Sequence, residues 1–249
     1  MQQLLIDFYF RYWKGWGWFG HYPDWAAAVV DCEGYDTTEI FEKVKIATCK
    51  VKLGQTKCET NKELMKWVEN ISTTAGIIRI LDFGGALGSI YFQHREILNK
   101  FPHLIWCVVE QKDFVEIGQA EFEDNVLKFE YTIEDALKKY QPNAVLLSSV
   151  LMYIEKPYNI LEEIFESKIP HIMIDRTPFI SAPEDRLTVQ IAIPSVYKAS
   201  YPCWIFSEQK FLNFTNRYAH HIKEFPAFDK SNILNCNYKG MIFEVKIEN

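Results

Sequence analysis

The spacing of apolar residues changes character near residue 76. Before it, apolar positions are irregular and crowded with rings: Trp13, Trp16, Trp18, Tyr22 and Trp25 are interleaved with Gly15, Gly17 and Gly20. Pro23-Asp24 opens a predicted helix over residues 25–30, with Asp24 as its cap or first-turn acid. Thr37-Thr38-Glu39 opens a second through Ile40, Phe41 and Val44, and a third covers residues 60–70. Residues 1–75 therefore read as a helical, lid-like extension. From residue 77, short apolar runs rich in β-branched side chains alternate with helical spacing. Runs at 77–83, 104–110, 126–130, 143–149, 171–175, 187–193 and 240–248 predict strands, and segments at 89–100, 112–122, 133–140, 157–166 and 207–217 predict helices. This alternation predicts an α/β domain over residues 76–249: a mostly parallel sheet with right-handed crossovers, helices on both faces and an antiparallel last strand.

Composition narrows the partners. The 249 residues are 48% hydrophobic and 15% aromatic, enough for a buried core and unlike a disordered chain. The formal charge is −6. Lys43, Lys45, Lys50, Lys52 and Lys57 cluster, but acids flank them and they read as a solvated helical face. Nucleic acid is not expected as a partner, since a duplex asks for a broader basic surface. The six cysteines form no CxxC pair and have no histidine at zinc spacing, so reduced thiols and no metal site are expected. The N-terminal apolar run carries Asp7 and Arg11 and lacks a basic start and a small-residue cleavage site. No stretch approaches the roughly 18 apolar residues of a membrane span. A cytoplasmic protein without stable membrane insertion is expected, with surface contact through the aromatic start left open.

In a parallel α/β sheet, ligands sit beyond the carboxyl ends of the strands. The first predicted strand ends in Asp82-Phe83-Gly84-Gly85-Ala86-Leu87-Gly88-Ser89. Glycines there allow a tight turn and close approach of a ligand to the backbone, and the next helix offers its N-terminal N–H groups. The second strand ends in Glu110-Gln111, 26 residues after Gly84, where a carboxylate can accept from the two hydroxyls of a ribose. Nicotinamide enzymes and class I methyltransferases share this arrangement. The order Asp82-x-Gly84-Gly85-x-x-Gly88 resembles the methyltransferase loop, with Ala86 where a middle glycine is usual. Asp82 would suit a cationic amino-acid group better than a pyrophosphate. Ser148 and Ser149, ending the fourth strand, stand where hydrogen bonds to the amino-acid end of such a ligand would form; core packing explains that strand end equally well.

LDFGGALGSIYFQHR, WCVVEQKDFVEIG, LLSSVLMYIEKPY, IDRTPF, LTVQ and YKASYPCWIFSE, with WFGHYPDWAAA and Gly34-Tyr35-Asp36 near the start, together resemble a family of class I methyltransferases from bacterial surface-polysaccharide gene clusters. The resemblance covers nearly the whole chain. It implies a Rossmann-like fold, S-adenosyl-L-methionine held at the Gly84–Gly88 loop (Gly84, Gly85, Gly88) and at Glu110, and a role in capsule or lipopolysaccharide modification; Asp82, Gln111, Ser148 and Ser149 complete the expected cofactor set from the strand ends read above. The expected acceptor is a small molecule, a sugar or a nucleotide-linked precursor methylated on oxygen. A nicotinamide-dependent oxidoreductase acting on a nucleotide sugar and an inactive scaffold of the same fold remain as alternatives.

Candidate acceptor-side residues lie after the fifth strand and in the aromatic segments. Asp175 would take a proton and Arg176 would clamp a phosphate or carboxylate; an internal Asp–Arg pair is the competing reading. His21 is the alternative base. Tyr22, Tyr91, Gln93 and Tyr201, within the Tyr197–Trp204 segment, are candidate acceptor contacts, and core packing explains the aromatics about as well. His94 is expected on the outer face of its helix.

Overall fold

The computed structural model describes residues 2–32, 38–56, 59–195 and 198–246. Gly34-Tyr35-Asp36, Thr37, Lys57, Cys58 and Tyr197 lie outside the described residues. The first part of the chain forms α1 (Gln2–Tyr9), a π-helical turn (Phe10–Lys14), β1 (Gly17–Tyr22), α2 (Trp25–Val29), α3 (Thr38–Lys52) and α4 (Lys62–Ala75). Then follow β2 (Ile78–Phe83), α5 (Ser89–Leu98), β3 (Leu104–Val109), α6 (Lys112–Ile117), β4 (Leu127–Glu130), α7 (Ile133–Tyr140) and β5 (Ala144–Ser148). After a single turn at Leu151–Tyr153 come α8 (Pro157–Glu166), β6 (His171–Ile180), β7 (Arg186–Ile191), β8 (Ser200–Ser207), α9 (Glu208–Thr215), β9 (Ala219–Pro226) and β10 (Cys236–Val245).

The parallel heart of the sheet runs β4-β3-β2-β5-β6, and antiparallel β10, with β9 beyond it, lies on the other side of β6. Its central strands are apolar on both faces because helices cover both. Ile78, Ile80, Trp106, Val108 and Leu146 pack with Trp67 and Ile71 of α4 and Phe114 of α6. Leu81, Cys107, Val109, Val145 and Leu147 pack with Ile133 and Ala136 of α7, Leu161 and Phe165 of α8 and Phe211 of α9. The alternation along each strand separates these two cores.

Several boundaries differ from the sequence reading. The stretch before residue 76 is not wholly helical: β1 pairs antiparallel with β7, which pairs antiparallel with β8. This small annex joins the main sheet where Phe206 and Ser207 of β8 meet Phe179 and Ile180 of β6. β6 therefore continues past residue 175, because its second half finds partners in β10 and β8. α1, β8 and β9 were not assigned from the sequence. Asp24 caps α2 as expected, accepting from the Ala27 N–H at 2.8 Å. Among the described residues no helix is long and apolar enough to cross a membrane.

Candidate functional site

At the carboxyl ends of β2 and β3, backbone and short side chains build a tight bend. Gly84 has φ +72°, and a Cβ there would lie 2.3 Å from Val150 Cγ2. A Cβ on Gly85 would lie 2.4 Å from Asp82 Oδ2. Both positions need glycine for want of space, one for its left-handed backbone as well. Ala86, in the place of the usual middle glycine, adopts the left-handed conformation regardless, with φ 49°. Gly88 immediately precedes α5. The Glu110 carboxylate leans over this bend: Oε1 accepts from the Ala86 N–H at 3.2 Å and Oε2 from the Gln111 N–H at 2.8 Å. Burial raises the Glu110 carboxyl above its ordinary value, while these two N–H groups pull it down. Gln111 itself is the cap residue of α6.

Asp82 takes a different place from the one expected. It is buried beneath the loop, and its Oδ2 accepts from the Trp106 indole at 2.9 Å. Burial pushes its carboxyl up to about 7, against the Trp106 bond, with Glu110 adding to the rise. A carboxyl so enclosed supports the bend from behind.

At the end of β5 and the mid-strand bulge of β6, distant parts of the chain meet. Asp175 and Arg176 of β6 together oppose Gly240 of β10, a β-bulge that re-aims both side chains. Asp175 is 3% exposed. Its Oδ2 accepts from the Asn61 side-chain amide at 2.9 Å and its Oδ1 from the Arg176 N–H at 2.8 Å. Burial raises its carboxyl, opposed by the Arg176 N–H, the Asn61 amide and the Arg176 guanidinium. Asn61 caps α4 through Leu64 and donates its own N–H to His94 Nε2 at 2.9 Å. His94 is thus buried, not on the outer helix face, because its ring satisfies both Asn61 and the Ile90 carbonyl. Burial lowers its pKa. Ser149 donates its N–H to the Asp175 carbonyl at 3.0 Å, and Ser148 lies beside Asp175 in register. Arg176 forks onto Asp229, with both bonds at 2.9 Å, and lies over the Phe228 ring. The ion pair weighed in the sequence is therefore real, but its acid is Asp229 and not the neighbouring Asp175.

Ala86 after β2, Ser149 after β5 and Arg176 at the β6 bulge are three of the six non-glycine residues with positive φ among the described residues. Such strain collects where surrounding structure holds a site in shape. Asn61, Trp106 and Asp229 are not among the residues singled out from the sequence; only the cap-like Asn61 before a helical run carries a local signal.

The remaining candidates separate. Tyr91 is 2% exposed, and its hydroxyl donates to Asp124 in the loop entering β4, so it does not face the bend's open side. Burial and Asp124 push its pKa up to about 12. Tyr201 is likewise buried, edge-on to Tyr153. Gln93 donates to the Glu59 carbonyl. His21 and Tyr22 instead line a cavity of about 460 Å³ with Glu155, Lys156, Trp204 and Lys210. None of that cavity's lining residues belongs to the Gly84–Gly88 bend, and neither Glu110 nor Asp175 borders it.

No family model and no curated protein matches the chain. Solved structures do. The N-terminal domain of EvdMO1 with S-adenosylhomocysteine bound is 10% identical, with a TM-score of 0.52 over 75% of this chain and 82% of that one. The same domain in the presence of S-adenosylhomocysteine and D-fucose also gives 10% and 0.52, over 82% and 97%. A SAM-dependent methyltransferase from Methanosarcina mazei is 12% identical, with a TM-score of 0.51 over 77% and 100%. The chain thus has the Rossmann-like class I methyltransferase fold.

Proposed function

We propose that this chain binds S-adenosyl-L-methionine at the β2–β3 corner and methylates an oxygen of a small polar acceptor, a sugar or nucleotide-linked precursor of a surface polysaccharide. The observation that carries this reading is the Glu110 carboxylate standing on the Ala86 N–H of the glycine bend. The residues present fit that cofactor. The bend offers backbone where a Cβ would not fit, and Glu110 sits half-buried one strand away, able to accept from vicinal hydroxyls. The cofactor supplies, when bound, a methyl group already activated on a sulfonium.

The chain's own part is alignment and proton handling. Holding an acceptor in line is worth at most about 7–11 kcal/mol. Asp175, with a raised pKa and its Oδ2 on a neutral amide, would take the acceptor's hydroxyl proton in this reading, an effect of roughly 10²–10⁴ in rate. Asn61 and the Arg176 N–H hold that carboxylate in one orientation. A sugar as acceptor is supported by the family resemblance and by the D-fucose included with the EvdMO1 domain.

Calorimetry with S-adenosylhomocysteine tests the reading. The wild type is expected to bind, and Glu110→Ala to bind about ten- to hundred-fold more weakly while still unfolding in one cooperative transition. No binding by the wild type, or equal binding by the variant, overturns it; binding of NADH instead would favour the oxidoreductase.

A further inference from the structure

The first helix is inside out. Its polar residues Gln3 and Asp7 turn toward the protein, where Gln3 donates to the Asn232 carbonyl at 3.1 Å and Asn232 donates to Asp7 at 3.1 Å. Gln3 Oε1 also accepts from the Leu234 N–H at 2.8 Å. Its apolar residues face out: Leu4, Leu5, Phe8, Tyr9, Tyr12 and Trp13 are 47–78% exposed. At helical spacing these six form one stripe along α1 and the π-helical turn. Such a patch exceeds what a monomer ordinarily leaves in water.

Charge and composition indicate what covers it. Within a chain of net charge −6, the exposed ions of this segment are Arg11 and Lys14, and neither forms an ion pair among the described residues. The acid of the segment, Asp7, is turned inward. Aliphatic side chains, Tyr and Trp rings and flanking cations without exposed acids complement an anionic headgroup layer over hydrocarbon. The stripe also sits near the candidate site. Asn232, which ties α1 down, belongs to the β9–β10 connection that also carries Asp229, the partner of Arg176, and Phe228, 79% exposed.

We propose that the α1 stripe docks the protein on an anionic bilayer surface, with the loop bearing Asp229 and Phe228 turned toward the lipid. The chain lies on the membrane and does not span it. This inference is independent of the cofactor reading.

Flotation of the full chain with phosphatidylcholine vesicles, with and without phosphatidylglycerol, tests it. The wild type is expected to float with the anionic vesicles, and less so as salt rises. Leu5→Gln/Phe8→Gln/Trp13→Gln, at exposed positions, should abolish flotation. Arg11→Gln/Lys14→Gln should weaken it roughly ten- to thirty-fold. Both variants should melt and bind S-adenosylhomocysteine as the wild type does, which separates failure of docking from failure of the cofactor site. Absence of wild-type flotation overturns the proposal, as does flotation unaffected by the stripe variant. So does a solution dimer that the stripe variant dissociates while vesicles remain bare, which would make the stripe a contact between copies.

Discussion

The β2–β3 corner and the β5–β6 corner are built in opposite ways. The first is made of backbone: a glycine bend, a left-handed Ala86, and one carboxylate 24 residues on that accepts its N–H. The second is made of side chains imported from afar. Asn61 reaches Asp175 across 114 residues, and Asp229 reaches Arg176 across 53. A site laid down by neighbours in sequence is rigid and intolerant of added atoms. One assembled by long-range contacts yields its chemistry when a single partner is changed, with less harm to the fold.

Asp175→Asn should have the largest effect, lowering kcat about 10²–10⁴-fold if the carboxylate removes the acceptor's proton. Affinity for S-adenosylhomocysteine should stay within a small factor. Steady-state kinetics beside calorimetry would show whether the two corners separate in this way, and a parallel loss of both would erase the contrast. Next comes Gly84→Ala, which forces a Cβ onto Val150 and should destabilise by about 2–4 kcal/mol. Adding Val150→Ala should recover part of that loss in urea unfolding. Recovery would locate the strain in the collision, and its absence in the left-handed backbone.

Asp82→Asn gives a smaller effect with a sign set by pH. The folded protein holds this carboxyl at about 7, above its ordinary 3.8. Its contribution to stability is whole below pH 3.8 and is lost as pH rises through 7. Asparagine keeps an acceptor for Trp106 and never ionises. The variant's unfolding free energy should therefore gain on the wild type as pH rises from about 4 to about 7, and the gain should level off above that. The smallest change expected is Asp229→Asn, about 1 kcal/mol, since the Arg176 pair is partly exposed. Cofactor affinity should not move, because the pair belongs to the other corner.

The sequence carried the first corner far better than the second. Glycines, an acid at a set distance and β-branched runs are local signals, and β2, β3 and β5 appear where those runs stand. Their burial on both faces made the pattern continuous and easy to see. β9, AHHIKEFP, alternates exposed polar with few buried residues and left no such run. α1 escaped because its apolar stripe faces solvent and its polar residues face the protein, the reverse of an ordinary surface helix. His94 was misplaced because a polar residue on a helix suggests solvent. Only the fold reveals that the Asn61 N–H needs it. Asp82 carried a true signal, an acid at the bend, but its burial changed the role from contact to support.

The surplus residue at Asp175–Arg176 has a further consequence. It sets the phase of the pleat for all that follows in β6. Because of it, Ile174 and Thr177 share a face opposite Met241 and Lys239 although they stand three apart; deleting either bulge residue would restore plain alternation, with Thr177 still opposite Lys239 and Phe179 still buried. The three-stranded annex meets the ladder of the main sheet at Phe179 and Ile180. A one-residue deletion there would therefore leave the joint to β8 in place and cost the molecule only the shared aim of Asp175 and Arg176, so this short stretch can be shortened to test the site apart from the fold.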